Sequence, residues 1–334
     1  MIEKKSTQTR NKIYQMFILG LEGEDLEKNS NLINALQDGL GGVIFFTQNI
    51  KSTEGFKNLI NNIKKEAVVT PFLSIDQEGG RVERTENIFG GKKFLSAKFA
   101  AEKGEDFLKS QTEEISTLLK DLGINLNFAP CIDVNTNPNN PIIGERAFSN
   151  DTDEVIKFGK IVVDTYLENG IIPCTKHFPG HGDASVDSHI ALPKIDLSLD
   201  EMEKTHIKPF KEVDSPMVMV AHMHCSAFDN EEIPTSLSKN AINYLKTELN
   251  YQGLIITDDM VMGGVTAEEG TAACIKAIKA GVNILLYRDS SLATINIIEN
   301  IVNIAEKDEE LLKKINESYE KITRFKGENS HFFS

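Results

Sequence analysis

The chain has 334 residues, 40% of them hydrophobic and 26% charged, which argues against a disordered or fibrous protein and suits a globular chain with a sizeable core. Its 50 acidic and 36 basic side chains leave a formal net charge of −14. That charge repels a phosphate backbone or an anionic bilayer, so neither nucleic acid nor a membrane is an expected partner.

The opening segment MIEKKSTQTRNKIYQMFILG carries positive charge, but its apolar stretch of about five residues is too short for a signal h-region or a membrane span. The expected location is cytoplasmic. Short apolar runs bounded by turn residues then follow at Gln15–Gly20, Gly42–Phe46, Phe72–Asp76, Ile124–Pro130, Ile171–His177, Met217–His222, Gly253–Asp258 and Val282–Tyr287. Such near-continuous runs suit strands buried on both faces of a parallel sheet. Between them lie amphipathic stretches at Thr53–Lys65, Ala100–Leu122, Asp153–Asn169, Leu199–Val213, Ser238–Asn250 and Ala267–Ala280, whose apolar residues recur at helical spacing.

Eight strand-like runs alternating with helices predict an α/β fold, a single (β/α)8 TIM-like barrel, with an open doubly wound sheet as the structural competitor. Ser238 is a candidate helix N-cap, and Gly253 and Gly281 stand where the chain must turn into the next strand. No linker, repeat or low-complexity segment divides the sequence, so the expectation is one domain over residues 1–334 with a core at about 12–325. The region after Asn303 reads as a surface helix followed by a frayed GENSHFFS tail. Cys131, Cys174, Cys225 and Cys274 show no CxxC spacing, which indicates buried reduced thiols rather than a zinc knuckle or a disulfide framework.

In a barrel of this kind, reactive side chains sit at the C-terminal ends of the strands. The polar motifs fall there: DQEGGRVER after the third run, CIDVN and GERAFSND after the fourth, KHFPGHGDASVDSH after the fifth and TDDM at the end of the seventh. Glycines and a proline keep the 179–182 stretch out of a helix, so its histidines hang from an irregular loop. Asp187 and His189 are two apart, near enough for the carboxylate to orient an imidazole as a general acid/base, although an Asp-x-His alone is more often a surface turn. Asp258 closes an apolar strand and could serve as an ionised nucleophile at the barrel mouth. Asp259 competes for that role; strand alternation should turn only one of the two into the pocket and leave the other to bond backbone groups or cap a helix. Asp76, Arg84, Arg146 and Lys176 either pair with one another around the rim or bind sugar hydroxyls, which need donors and acceptors together.

IDQEGGRVER, NFAPCIDVN, IIGERAFSND, KHFPGHGDASVDSH and GLIITDDMVMGGV, in this order, resemble the signatures of the β-N-acetylglucosaminidases of glycoside hydrolase family 3, over about Ile18 to Tyr287. The resemblance implies a retaining β-N-acetylhexosaminidase with Asp258 as nucleophile and His189 as acid/base, partnered by Asp187. It places Asp76, Arg84, Arg146, Lys176 and His177 in the subsite for a terminal N-acetylglucosamine. It implies no cofactor and no metal, and as substrate a small carbohydrate, an N-acetylglucosaminyl muropeptide of cell-wall recycling or a chitooligosaccharide. A histidine acid/base that is neutral after giving up its proton repels an anion less than a carboxylate does, so phosphate could compete with water in the second step.

His224 departs from the family pattern, and no role for it follows from the sequence. Two other function classes compete: a metal-dependent hydrolase using His222, His224, His177, His181 and Asp258, and a non-catalytic sugar-binding protein on the same barrel.

Overall fold

The computed structural model describes residues 2–88, 93–184, 192–261 and 270–333. Eight strands close into a barrel: β1 (Phe17–Gly20), β2 (Gly42–Phe45), β3 (Phe72–Ile75), β4 (Leu126–Asn127), β5 (Ile172–Phe178), β6 (Met217–Val220), β7 (Leu254–Asp259) and β8 (Ile284–Tyr287). Each pairs in parallel with its neighbours in sequence order, and β8 returns to β1. The barrel reading therefore holds over the open sheet, and every predicted run overlaps one of these strands, β5 and β7 each running one residue further.

Local chemistry explains the connecting helices. Helix Thr53–Glu66 starts where the Ser52 side chain accepts the Gly55 N–H, and it buries Phe56, Leu59, Ile60 and Ile63 against the barrel at the spacing of one helical face. Ser238 caps helix Lys239–Thr247 through the Ala241 N–H at 3.0 Å, as the sequence predicts. Two predicted helices are each divided. The first becomes Ala97–Glu102 and Glu105–Leu122, because Gly104 between them has φ +99°, which a right-handed helix does not contain. The second becomes Leu199–Lys204 and Lys208–Glu212, the latter with Pro209 in its first turn, which lacks the N–H needed to continue a helix from the preceding turn.

The chain end departs from the frayed tail expected of it. After helix Glu309–Glu328 a 3-10 turn at Ser330–Phe333 buries Phe332 and sets Phe333 5.4 Å from Phe72 at the start of β3. Lys326 donates to Gln15 Oε1, the Gly41 carbonyl and the Thr70 carbonyl, with its ammonium 4.6 Å above the Phe72 ring. An aromatic cluster and one ammonium thus close the N-terminal face of the barrel, leaving the opposite rim for chemistry. All four cysteines are buried and free. Among the described residues no helix is long and apolar enough to cross a membrane.

Candidate active site

A cavity of about 390 Å³ opens at the C-terminal ends of the strands, within the range of small-ligand pockets. Asp76 and Glu78 enter it after β3, Arg84 from the following turn, Arg146 after β4, Lys176 and His177 from β5, Asp258 and Asp259 from β7, and Arg288 after β8. The structure therefore brings together Asp76, Arg84, Arg146, Lys176, His177 and Asp258 of the residues singled out in the sequence. Asp187 and His189 lie outside the described residues.

Two register shifts shape this rim. Between β5 and β6, three steps from Thr175 to Phe178 face two steps from Val218 to Val220. Between β7 and β8, three steps from Ile256 to Asp259 face two from Ile284 to Leu286. One extra residue in each strand breaks the alternation of side chains. Consecutive residues Lys176 and His177, and likewise Asp258 and Asp259, then reach the same pocket. The expectation that only one of the two aspartates faces inward is corrected on this ground, while Asp259 does bond backbone N–H groups, as expected of the second aspartate.

The charges form one connected network. Lys176, 2% exposed, donates to Asp76 Oδ1 at 2.7 Å and lies 2.6 Å from Glu78 Oε1. Glu78 accepts both Nε and Nη2 of Arg146 at 2.8 Å, a bidentate pair. Burial opposes the charge on Glu78, but Arg146 and Lys176 outweigh it and hold the carboxyl far below the usual range. Burial likewise opposes the Lys176 ammonium, and Asp76 and Glu78 reverse the effect. Asp76, Arg146 and Lys176 thus pair around the rim, and all three line the pocket. Arg84 differs, with its guanidinium 5.7 Å from the Phe46 ring and a buried Nε that has no protein partner.

Asp133, fully buried beneath the pocket, is a second anchor. It accepts the His177 N–H, the His177 ring Nδ1–H at 2.6 Å and the His181 N–H at 2.6 Å. With Arg146 Nη2 3.3 Å from Nε2, the His177 ring is held at both nitrogens. Burial opposes ionisation of Asp133, but His177 and His181 keep its pKa low. His181 also lines the pocket, and burial pushes its pKa down to about 4.

The two bulge aspartates have different partners. Asp259 pairs with Arg288 Nε and accepts the Val261 N–H at 3.1 Å and the Arg288 N–H at 3.3 Å. Asp258 accepts the N–H of Asp259 at 2.7 Å and has no ion pair among the described residues. Burial raises the Asp258 pKa, but His177, His222, the Asp259 N–H and Lys176 together bring it below the ordinary value. The result is an ionised carboxylate facing a cavity, uncommitted to a protein cation.

The model of the glycosyl hydrolase family 3 N terminal domain matches residues 8–325. The chain belongs to glycosyl hydrolase family 3. Relatives that it matches are named β-hexosaminidases. It is 36% identical over 272 residues to β-hexosaminidase A of Pseudoalteromonas piscicida, covering 74% of this chain and 45% of that protein. It is 30% identical over 268 residues to a β-hexosaminidase of Idiomarina loihiensis, covering 78% of this chain and 80% of the relative. Among solved structures, a family 3 β-N-acetylglucosaminidase from Paenibacillus sp. FPU-7 superposes with a TM-score of 0.87 at 29% identity, over 96% of this chain and 62% of that one. The chain thus spans less than half of the Pseudoalteromonas protein and about three-fifths of the Paenibacillus chain.

The metal-hydrolase ligand set does not assemble in this family 3 barrel. His222 Nδ1 faces Ser236 Oγ at 2.7 Å, and its Nε2 faces the Asp259 carbonyl at 3.1 Å. His224 belongs to a small parallel pair, Lys194–Ile195 with His224–Cys225, where its N–H bonds the Pro193 carbonyl. That contact is made by the backbone, and the ring Nδ1 of His224 is buried without a hydrogen-bond partner among the described residues. The one metal-capable grouping among the described residues is Cys131, Asp133 and His177, and Asp133 already serves two backbone N–H groups and an imidazole there.

The sequence reading missed Glu78, Asp133 and Arg288, and considered His181 only as a metal ligand. A signal existed for Glu78: it stands two residues after Asp76, the spacing that returns to the same side of an extended chain. The intervening Gln77 and nearby Glu83 turn the other way, Gln77 Nε2 donating to Glu83 Oε2 at 2.9 Å. Gly79 and Gly80, at φ +94° and +60°, complete the turn where a Cβ would stand 2.3 Å from the Leu95 carbonyl and 2.5 Å from Ser96 Cβ.

Proposed function

We propose that this family 3 hydrolase is a retaining exo-β-N-acetylhexosaminidase that removes terminal N-acetylglucosamine from peptidoglycan-derived muropeptides in the cytoplasm, acting as one barrel domain. The observation that carries the reading is Asp258: a buried pocket carboxylate kept ionised by its surroundings but paired with no cation among the described residues. The other carboxylates of the cavity, Asp76, Glu78 and Asp259, are each matched by a lysine or an arginine.

In this mechanism the Asp258 carboxylate attacks the anomeric carbon and forms a glycosyl ester. His189, oriented by Asp187, gives its proton to the departing glycosidic oxygen. It then takes a proton from the water that cleaves the ester, so the enzyme returns to its starting state. Asp76, Arg146, Lys176, His177 and Arg84 hold the sugar hydroxyls with paired donors and acceptors. The close relation to β-hexosaminidases supports the N-acetyl preference, and the resemblance around DASVDSH supports the histidine acid/base. Because that histidine is neutral in the second half-reaction, phosphate is expected to compete with water, giving a sugar phosphate beside the free sugar.

The test is release of p-nitrophenol from the N-acetyl-β-glucosaminide and the corresponding glucoside, with EDTA present. Release from the N-acetyl substrate alone is expected, abolished in Asp258→Ala and slowed in His189→Ala by about 10²–10⁴-fold. No release from either substrate overturns the reading. Loss of release in EDTA, restored by zinc, would return the metal hydrolase to consideration.

A further inference from the structure

The bulge in β7 sets two consecutive carboxylates, Asp258 and Asp259, at one pocket. Neighbouring carboxylates in a desolvated site share a proton unless a cation separates their roles. Here the cation comes from the next strand. Arg288 follows β8, pairs with Asp259 through Nε, and its own backbone N–H reaches Asp259 Oδ1 at 3.3 Å. The Val261 N–H takes the same oxygen at 3.1 Å. Asp259 is thus drawn toward the rim by three donors, while among the described residues Asp258 has only the backbone N–H of its neighbour.

We propose that Arg288 is a positioning residue for glycosyl transfer: its ion pair with Asp259 keeps that second carboxylate ionised and turned from Asp258, so that the two share no proton. The inference rests on Asp258 being the nucleophile. Other charged or titratable groups face the pair: Lys176 and His177 from β5, His181 from the loop after it and His222 after β6 act on Asp258, and the Tyr287 phenol at the end of β8 stands near Asp259. Arg288 is the cation whose side chain contacts Asp259. Burial raises the pKa of Asp259 even with Arg288 in place. Without the guanidinium, burial is opposed by the backbone N–H groups alone, so the Asp259 pKa moves further up. A protonated Asp259 beside Asp258 donates to it or exchanges the proton with it, and either event makes Asp258 a poorer nucleophile.

The test compares wild type, Arg288→Gln, Arg288→Lys and the double variant Arg288→Gln/Asp259→Asn. The readout is kcat/KM on p-nitrophenyl N-acetyl-β-glucosaminide between about pH 8 and about pH 5, with thermal midpoints to show folding. The wild-type to Arg288→Gln ratio is expected to grow about tenfold toward low pH, one unit of added titration. It should stay level in Arg288→Lys and in the double variant, which lacks the titrating carboxyl. A ratio for Arg288→Gln that is the same at every pH is what a merely structural role gives, and it overturns the proposal. So does a pH-dependent ratio that persists in the double variant. Arg288→Met, with a similar apolar stem, replaces the glutamine variant if that one does not fold. Trapping of a glycosyl-enzyme on wild-type Asp258 with a fluorinated N-acetylglucosaminyl fluoride separates the two levels. Failure to label Asp258 overturns the nucleophile assignment, whereas labelling with a level ratio overturns only the role of Arg288.

Discussion

Glu78→Gln tests whether the buried charge network holds the pocket together. Glu78 and Lys176 are 5% and 2% exposed at their side chains, and Arg146 is 12% exposed. The substitution keeps the shape but leaves Lys176 paired with Asp76 alone and Arg146 with no ion pair among the described residues. Removing one member of a buried ion pair costs about 3–5 kcal/mol, because the stranded charge keeps its desolvation penalty. Unfolding entropy of about 2.1 cal/mol/K per residue over 334 residues gives about 0.7 kcal/mol per kelvin at the midpoint. The midpoint should therefore fall by about 4–7 °C.

The pH dependence fixes the origin of that loss. Glu78 has a folded pKa below its unfolded value, so its contribution is fully present above the unfolded pKa and is lost as pH falls toward the folded one. The gap between wild type and Glu78→Gln should be constant above about pH 5 and narrow below it. Scanning calorimetry across pH measures the gap, and kcat/KM on the N-acetyl substrate should fall with it as Lys176 and Arg146 lose their fixed positions. A midpoint within about 1 °C of wild type at neutral pH, with kcat/KM unchanged, would refute the reasoning.

Two further substitutions probe the loop after β5. In Gly182→Ala the new Cβ would stand 1.7 Å from the Val134 carbonyl, so the loop must shift; a lower thermal midpoint and a lower kcat are expected, and wild-type values of both would contradict the close approach. His181 is buried with its pKa pushed down to about 4, so the unfolded chain binds its proton more readily than the native state does. Stability should fall as pH drops from about 6.5 toward 4, and His181→Gln should flatten that slope in midpoint measurements; equal slopes in both proteins would count against a neutral buried ring.

Much of the site was legible because barrel chemistry collects at strand ends. Lys176, His177, Asp76 and Asp258 each follow or close an apolar run, and the structure places all of them at one pocket. Glu78 and Asp133 were harder to recognise. Their importance comes from what stands opposite them: Arg146 lies 68 residues from Glu78 and His177 lies 44 from Asp133. No local pattern encodes such a pairing. The divided helices had local causes at Gly104 and Pro209, whereas the docking of Phe332 and Phe333 depended on an apolar surface around Phe72 that forms only when the barrel closes.

The sequence by itself determined the alternation of strands and helices, the barrel they build and the rim on which reactive groups collect, because side-chain periodicity and turn chemistry act over a few residues. Only the tertiary structure decided which carboxylates are free to react. Asp258 and Asp259 are adjacent and chemically identical in the sequence. A register shift between β7 and β8 brings both to one cavity, and the arginine that follows β8 distinguishes them by pairing with Asp259. Charge pairing acts through space, so the partner that neutralises a buried carboxylate is fixed when the sheet closes.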